Sequence, residues 1–391
     1  MSTLEVTLDA DALLAAAQAQ TGLSDWSDDT FPDRFRIAVG LIRQAGMDAA
    51  GERAAVDNCL WLLTERLKFF EDFKRYPIAE EKIEKPLFVL GEARGGTTFT
   101  QSLLSTDPNA RALHFWEIMH PSPPPGLAQP DDTRRARADE YWRKVNRRMP
   151  KWLVSHPYND LLGNGLPECE RTWNFDFRVL TCTAWGLVPM HMVNQGLPAD
   201  VRAQYRLHKM MLQNCQYARP KKHWVLKGFH SARMRELFDT YPDARVIWVH
   251  REPIDVIASM IQFMAELQEM LAGPIDLEEN ARAVVEFGRQ NYSTALNNPY
   301  VDDPRIHHVR YKDVTADPVA AIRGFYEKAG MPFGAENEQA IRTYLRDNKS
   351  DRYGKFHYSV DAIRTDIAEL SREFDGYRER FGLDAYARKA W

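Results

Sequence analysis

The chain has 391 residues, of which 44% are hydrophobic, 27% charged and 11% aromatic, and its net charge is −4. That length supports one large α/β domain with an accessory segment, or two domains, and the composition excludes a long disordered chain or a fibrous repeat. The near-balanced charge excludes a general attraction to nucleic acid or to an anionic membrane, so any basic site must be local. Cys59, Cys169, Cys182 and Cys215 are scattered, with no Cys-x-x-Cys pair and no Cys/His cluster at metal-ligand spacing, which predicts reduced, mostly buried thiols and no metal site. The Ala/Leu run within residues 1–20 carries Asp9 and Asp11 and lacks a basic leader. No later stretch reaches the roughly 18 apolar residues of a membrane span. A cytoplasmic protein without an integral membrane segment is expected.

Residues 10–75 are predicted helical. After the punctuation of Ser24-Asp25 and Ser27-Asp28, apolar residues recur at three- and four-residue steps through Phe35, Val39 and Ile42, and again through Leu60, Leu63, Leu67 and Phe70. Pro86 introduces the apolar run Leu87–Leu90, followed by a glycine-rich turn and a helix-like stretch, Thr98–Leu104. Five prolines in 121–130 stop any helix or inner strand and open a loop or lid. Residues 131–149 favour helix, whereas 150–200 mix aromatics, prolines and acids without a period. A strand is predicted at His223–Leu226, a helix over Ser231–Thr240, a strand at Arg245–Val249, a helix over Pro253–Phe263, a strand at His307–Tyr311 and a helical tail over Ser359–Phe381. Strands alternating with helices predict an α/β fold, a parallel sheet flanked by helices. The expected organisation is a helical arm over 1–84 packed on an α/β domain over 85–391, with a substrate-facing helical and loop insertion at 120–220.

The turn Gly91-Glu92-Ala93-Arg94-Gly95-Gly96-Thr97-Thr98 stands between a strand and a helix. Such a turn presents backbone N–H groups at the positive end of the helix, which suits phosphate or sulfate. Gly95 and Gly96 permit close approach, Thr97 and Thr98 add hydroxyls, and Arg94 adds a permanent charge. Gly96 is followed directly by Thr97, without the lysine of the Walker pattern. Pro86–Leu104 resembles the opening motif of the sulfotransferase superfamily, and Leu103-Leu104-Ser105-Thr106-Asp107-Pro108 resembles the Leu-Leu-x-x-Asp-Pro segment that follows it in the bacterial branch. The resemblance implies a P-loop-like fold and 3′-phosphoadenylyl sulfate (PAPS) as sulfuryl donor, with 3′-phosphoadenosine 5′-phosphate (PAP) as product. It assigns the 5′-phosphosulfate to Arg94, Gly95, Gly96, Thr97 and Thr98, and an adenine-stacking place to Phe99.

The family's second signature is an arginine at a strand end and a serine eight positions on, both on the donor's 3′-phosphate. Arg251 and Ser259 have that spacing. Eight residues of helix rise about 12 Å, so Arg251 must precede the helix while Ser259 meets the phosphate from its side. Tyr311-Lys312-Asp313 resembles the segment that places a tyrosine near the adenine, with a lysine where an acid is usual. Residues 351–359, carrying Arg352, Lys355 and His357, resemble the late basic loop that closes on the 3′-phosphate end.

Sulfuryl transfer needs an in-line nucleophile and cations around the bridging oxygen. Arg94 is one such cation, and Lys227, after the strand Trp224–Leu226, is the second. Four residues compete as the base that takes the acceptor's proton: His114, Glu117, Glu170 and His230. The resemblance favours Glu117, near the place after the first helix where several branches of the family put a glutamate base, over His230, three residues after Lys227, where the cytosolic branch puts a histidine base, while Glu168 and Glu170 alternatively orient Arg94 or line the acceptor pocket. Trp116, Trp142, Trp152, Trp173, Phe175, Phe177 and Trp185 suggest a small apolar acceptor, such as a sterol, phenol or lipid alcohol. The arm either covers that acceptor or mediates a homodimer. The competing readings are a P-loop nucleotide kinase or ATPase, and a protein that binds PAP without catalysis.

Overall fold

In the computed structural model, five short strands, β1 (Leu87–Leu90), β2 (Ala110–Ala112), β3 (His223–Lys227), β4 (Arg245–His250) and β5 (Ile306–Arg310), form one parallel sheet in the order β2-β3-β1-β4-β5. The structure describes residues 7–44, 47–148, 151–178, 200–220, 222–272, 274–349, 351–384 and 386. Cys182 and Trp185 lie outside them. All four residues of β1 are buried, the expected pattern for a parallel strand covered on both faces. In register, Phe88 faces Leu226 on one side and Val246 on the other. Leu87 and Val89 join a core with Leu103, Leu104, Phe325, Tyr326 and Ile341, whereas the ring of Phe88 meets Tyr241 and His230.

The chain's contacts divide it into two compact units. One contains residues 83–113, 141–168 and 222–391, and therefore the whole sheet. The other joins residues 1–82 to 114–140 and 169–221, so the N-terminal arm shares a unit with much of the expected insertion. The α/β expectation holds, with local differences. β2 has no strand signal in Ala-Arg-Ala, and β5 ends at Arg310, so that Tyr311 opens the helix Tyr311–Ala316. A 3₁₀ turn at Ser231–Arg233 precedes the helix Met234–Thr240, and the helix begun at Pro253 runs on to Ala272. The tail is a 3₁₀ turn, Val360–Ile363, and two helices, Ile367–Glu373 and Asp375–Phe381.

The arm is three helices, Ala10–Thr21, Phe31–Arg43 and Ala49–Arg75. The first is capped by the Asp9 side chain and stopped by Gly22 in the left-handed region, and the third is capped by Asp48. Buried arginines tie these helices to residues 169–178. The guanidinium of Arg66, 2% exposed, lies over the rings of Phe31 and Phe70 at 3.9 and 4.6 Å, and it donates to the carbonyls of Phe175 and Trp26 at 2.9 Å each. Asp176 accepts from Arg34 at 2.6 Å and from Arg178 at 2.5 Å, with Arg66 at 3.4 Å. Cys59, Cys169 and Cys215 are buried.

Asp176 thus meets three guanidiniums, of which Arg34 and Arg178 also reach Asp28, and removing its charge takes an acid from the buried Arg66. Asp176→Asn is expected to cost about 3–5 kcal/mol, read as a lowered urea midpoint by tryptophan fluorescence. Asp28→Asn, at the more exposed side of the same cluster, is expected to cost about 1 kcal/mol or less.

Candidate active site

β1 runs into a turn that only glycine can make at two points. Gly91 has φ 147, and a Cβ there would lie 2.6 Å from the carbonyl oxygen of Val249. Gly96 has φ 96, and a Cβ there would lie 2.2 Å from the ring of Tyr311. Between them the Gly95 amide donates to the carbonyl of Glu92 at 2.8 Å, closing the turn. The helix Thr97–Leu104 then starts from Gly96 with no side-chain cap. Its first-turn N–H groups have no intrahelical acceptor, so they form a positive terminus open to an anion.

β3 delivers Lys227 to the same helix. The lysine is 3% exposed, and its Nζ donates to Thr98 Oγ1 at 3.0 Å and to Glu168 Oε1 at 2.6 Å. His230, three residues on, is fully buried edge-on to Phe88, with ring centroids 5.3 Å apart.

β4 delivers Arg251 from the other side of β1. Its Nη1 donates to the carbonyl of Arg94 at 2.8 Å and its Nη2 to Tyr358 Oη at 2.9 Å, and its guanidinium lies 4.9 Å from the Tyr311 ring centroid. Arg94 holds a left-handed backbone, φ 67. Its Nε donates to Ser259 Oγ at 3.1 Å and its Nη1 to the Ser155 carbonyl at 2.9 Å, between the rings of Phe263 and Phe356 at 5.1 and 4.7 Å. Desolvation first, and then the repulsion of Arg251, pull its pKa down to about 10. The spacing of Arg251 and Ser259 therefore closes in space through Arg94, which touches both.

The structure brings Gly95, Gly96, Thr97, Thr98, Lys227, Arg251, Ser259 and Tyr311 to one edge of the sheet, at the C-terminal ends of β1, β3, β4 and β5. The order reverses beside β1, where such sheets hold their ligands. Arg94 joins them, with its side chain directed to Ser259 rather than along the helix N-terminus. Phe99 packs against the hydrophobic core. Arg352 is engaged with Asp160, Nε to Oδ2 at 2.9 Å, and Lys355 is exposed. The late loop reaches the arginines instead through Phe356 and Tyr358. Those two, with Ser155, are the residues that sequence reasoning missed, and only the rings at 356 and 358, alternating beside a basic loop, offered a signal; Glu168, expected to orient Arg94 or line the acceptor pocket, accepts from Lys227.

His114, Glu117 and Glu170 belong to the other unit. Glu117 is 1% exposed, with Oε1 paired to Arg219 and Oε2 accepting from the His114 amide at 3.0 Å. Of the aromatic cluster, Trp142, Trp152, Trp173, Phe175 and Phe177 are buried, and Trp152 stacks on Phe263, the ring that also faces Arg94. Among the described residues no group of three His, Cys, Asp or Glu could hold a metal ion, and no helix is long and apolar enough to cross a membrane.

A parallel sheet with an uncapped helix terminus after its central strand, and two arginines gathered beside it, defines a P-loop-like anion-transfer fold. Residues 86–335 match the Sulfotransferase family, and the chain belongs to it. It is 25% identical over 321 residues to the omega-hydroxy-beta-dihydromenaquinone-9 sulfotransferase Stf3 of Mycobacterium bovis and of Mycobacterium tuberculosis, covering 79% of this chain and 78% of each relative. The crystal structure of sulfotransferase STF9 from Mycobacterium avium superposes with a TM-score of 0.83 at 27% identity, over 99% of this chain and all of that one. Sulfotransferase STF1 from Mycobacterium tuberculosis shares the fold, with a TM-score of 0.70 at 23% identity over 94% and 98% of the two chains.

Glu92, inside the turn after β1, accepts from Asn291 Nδ2 at 2.8 Å. Burial outweighs that hydrogen bond and raises its pKa from 4.5 to about 7. A carboxyl whose folded pKa is raised opposes folding once ionised. Its cost is absent below pH 4.5, grows as the pH rises, and is complete above about pH 7. Glu92→Gln is therefore expected to melt close to wild type at pH 4.5 and to be more stable at pH 8, by no more than about 3 kcal/mol. Calorimetric melting at the two pH values checks it.

Proposed function

We propose that this chain transfers the sulfuryl group of PAPS to a hydroxyl of a small apolar acceptor, of which a lipid alcohol is the favoured class. The observation that carries the reading is the pair of anion sites on either side of β1: the uncapped helix terminus at Gly96 with Lys227, and Arg251 with Ser259. Two separated anions on one nucleotide match a 3′-phosphate and a 5′-phosphosulfate. The residues fit such a donor, because first-turn amides lack a side-chain cap and, among the described residues, neither Arg94 nor Arg251 has a carboxylate within ion-pair distance. The acceptor class draws its support from Stf3, whose name describes a hydroxylated dihydromenaquinone as the molecule it sulfates.

In this reading the loop amides and Lys227 offset charge gathering on the transferred group and on the leaving phosphate. Glu117 is the proposed base. Arg219 and the His114 amide fix its orientation, and a carboxylate so held retains lone pairs for an acceptor hydroxyl. His230 is the second candidate.

Isothermal titration with PAP, ATP and ADP tests the donor. PAP is expected to bind best, and Arg251→Ala to weaken it about 10- to 100-fold, as loss of charge-assisted hydrogen bonds does. Tighter binding of ATP, or an unchanged affinity in the variant, would remove the donor assignment. Turnover of radiolabelled donor with a long-chain alcohol, in Glu117→Gln and His230→Gln, tests the base: loss only in the second moves the role to His230. Binding of PAP with no turnover of any hydroxyl acceptor would favour a non-catalytic nucleotide-binding protein.

A further inference from the structure

Arg251 stands between two residues that one short helix holds. His250, the last residue of β4, is fully buried, and its Nδ1 lies 2.5 Å from Tyr377 Oη. Glu252, on the other side of Arg251, accepts from Arg378 Nη2 at 2.5 Å. Tyr377 and Arg378 are neighbours on the helix Asp375–Phe381, whose Phe381 ring also stacks on the His250 ring with centroids 3.8 Å apart.

The His250 contact belongs to a chain of hydrogen bonds with one consistent set of protons. His250 Nε2 lies 2.8 Å from Nδ1 of His308 on β5, and His308 Nε2 lies 2.7 Å from the carbonyl oxygen of Val301. A carbonyl only accepts, so His308 carries its proton on Nε2 and offers Nδ1 as an acceptor. His250 then donates from Nε2 and accepts from the Tyr377 hydroxyl through Nδ1. Two neutral imidazoles complete the chain. A further proton sets two N–H groups against each other, or reverses the chain and turns the Tyr377 O–H away from His250.

The surroundings oppose that proton. Burial holds the pKa of His250 well below 6.5, and His308 and Arg380 push the same way. At His308 burial is again the first cause; the Val301 carbonyl and Asp302 favour the charged form, Arg380 and Lys328 oppose it, and the net direction is downward. His307, beside it on β5, is lowered as well. Burial and then the charge of Glu92 keep the Tyr377 hydroxyl protonated, with the Tyr292 ring centroid 4.7 Å from its own. A histidine whose folded pKa is depressed contributes stability that is complete above pH 6.5 and is lost as the pH falls below it.

We propose that His250 and His308 are positioning residues for Arg251: as neutral imidazoles they hold the helix Asp375–Phe381 on the end of β4, and acid releases that hold and with it the arginine. The inference rests on Arg251 binding the PAPS donor.

Titration calorimetry with PAP on the full chain compares pH 7.5 with pH 5.5 for wild type, His308→Phe and His308→Asn, each checked for folding at both values by circular dichroism. Phenylalanine keeps a ring and removes the acceptor, whereas asparagine keeps an acceptor toward His250 and removes a titrating ring. At pH 7.5, His308→Phe is expected to weaken PAP about 10-fold and His308→Asn less than about 3-fold, the scale of one lost hydrogen bond and of its partial rescue. From pH 7.5 to 5.5, wild type is expected to lose about 3- to 10-fold more affinity than His308→Asn. Protonation of the ligand's phosphates and of Glu92 is common to both chains and cancels in that comparison. If His308→Phe does not fold, His308→Asn carries the test through its pH profile. No binding of PAP by wild type removes the donor reading and the inference with it. Binding by wild type together with equal acid losses in wild type and His308→Asn leaves the donor reading standing and overturns the inference.

Discussion

A guanidinium leaves water only when something compensates it, and the two units of this chain do so in opposite ways. Around Asp176 the compensation is internal: Arg34, Arg66 and Arg178 converge on one carboxylate and on backbone carbonyls, and the result is scaffold. Around Ser259 the partners are neutral. Arg94 and Arg251 meet hydroxyls, carbonyls and ring faces but no acid among the described residues. The same side chain meets an acid of the fold in one place and neutral partners in the other.

The parallel sheet turns that local imbalance into a site. Because every strand points the same way, Gly91, Lys227, His250 and Arg310 all end at one edge, and β1 lies between the strands that bring the two groups of cations. The close approach of Tyr311 to Gly96 then fixes both sides of the arrangement. The ring excludes any side chain at Gly96 and offers its face to Arg251 at 4.9 Å. One tyrosine therefore couples the conformation of the turn to the position of the arginine.

Contiguous parts of this arrangement were legible in the sequence. The turn after β1, the strand-end lysine and the spacing from Arg251 to Ser259 are short-range patterns, and four of the five strands stand out as apolar runs. β2 did not, because Ala110–Ala112 is too short and too weakly apolar to carry a period. Contacts assembled from distant segments were also hidden. Ser155 reaches Arg94 across 61 positions and Tyr358 reaches Arg251 across 107, and no local spacing encodes either. The charge of the late basic loop is exposed at Lys355 and engaged with Asp160 at Arg352, while its rings meet the arginines, a contact its basic composition does not encode. The tryptophans are ambiguous in sequence because core and pocket use the same residues.

Lys227 shows how the third cation differs from the arginines. An ammonium 3% exposed beside the positive end of a helix is doubly unfavourable, since it loses hydration and faces a dipole of like sign. Glu168 Oε1 at 2.6 Å supplies the opposite charge, and Thr98 takes a second proton of the ammonium. Glu168 is itself 25% exposed, so its carboxylate keeps part of its hydration while neutralising the lysine. The ammonium at the helix terminus is therefore a compact charge offset by an acid, whereas the planar arginines beyond it are held by ring faces, hydroxyls and carbonyls.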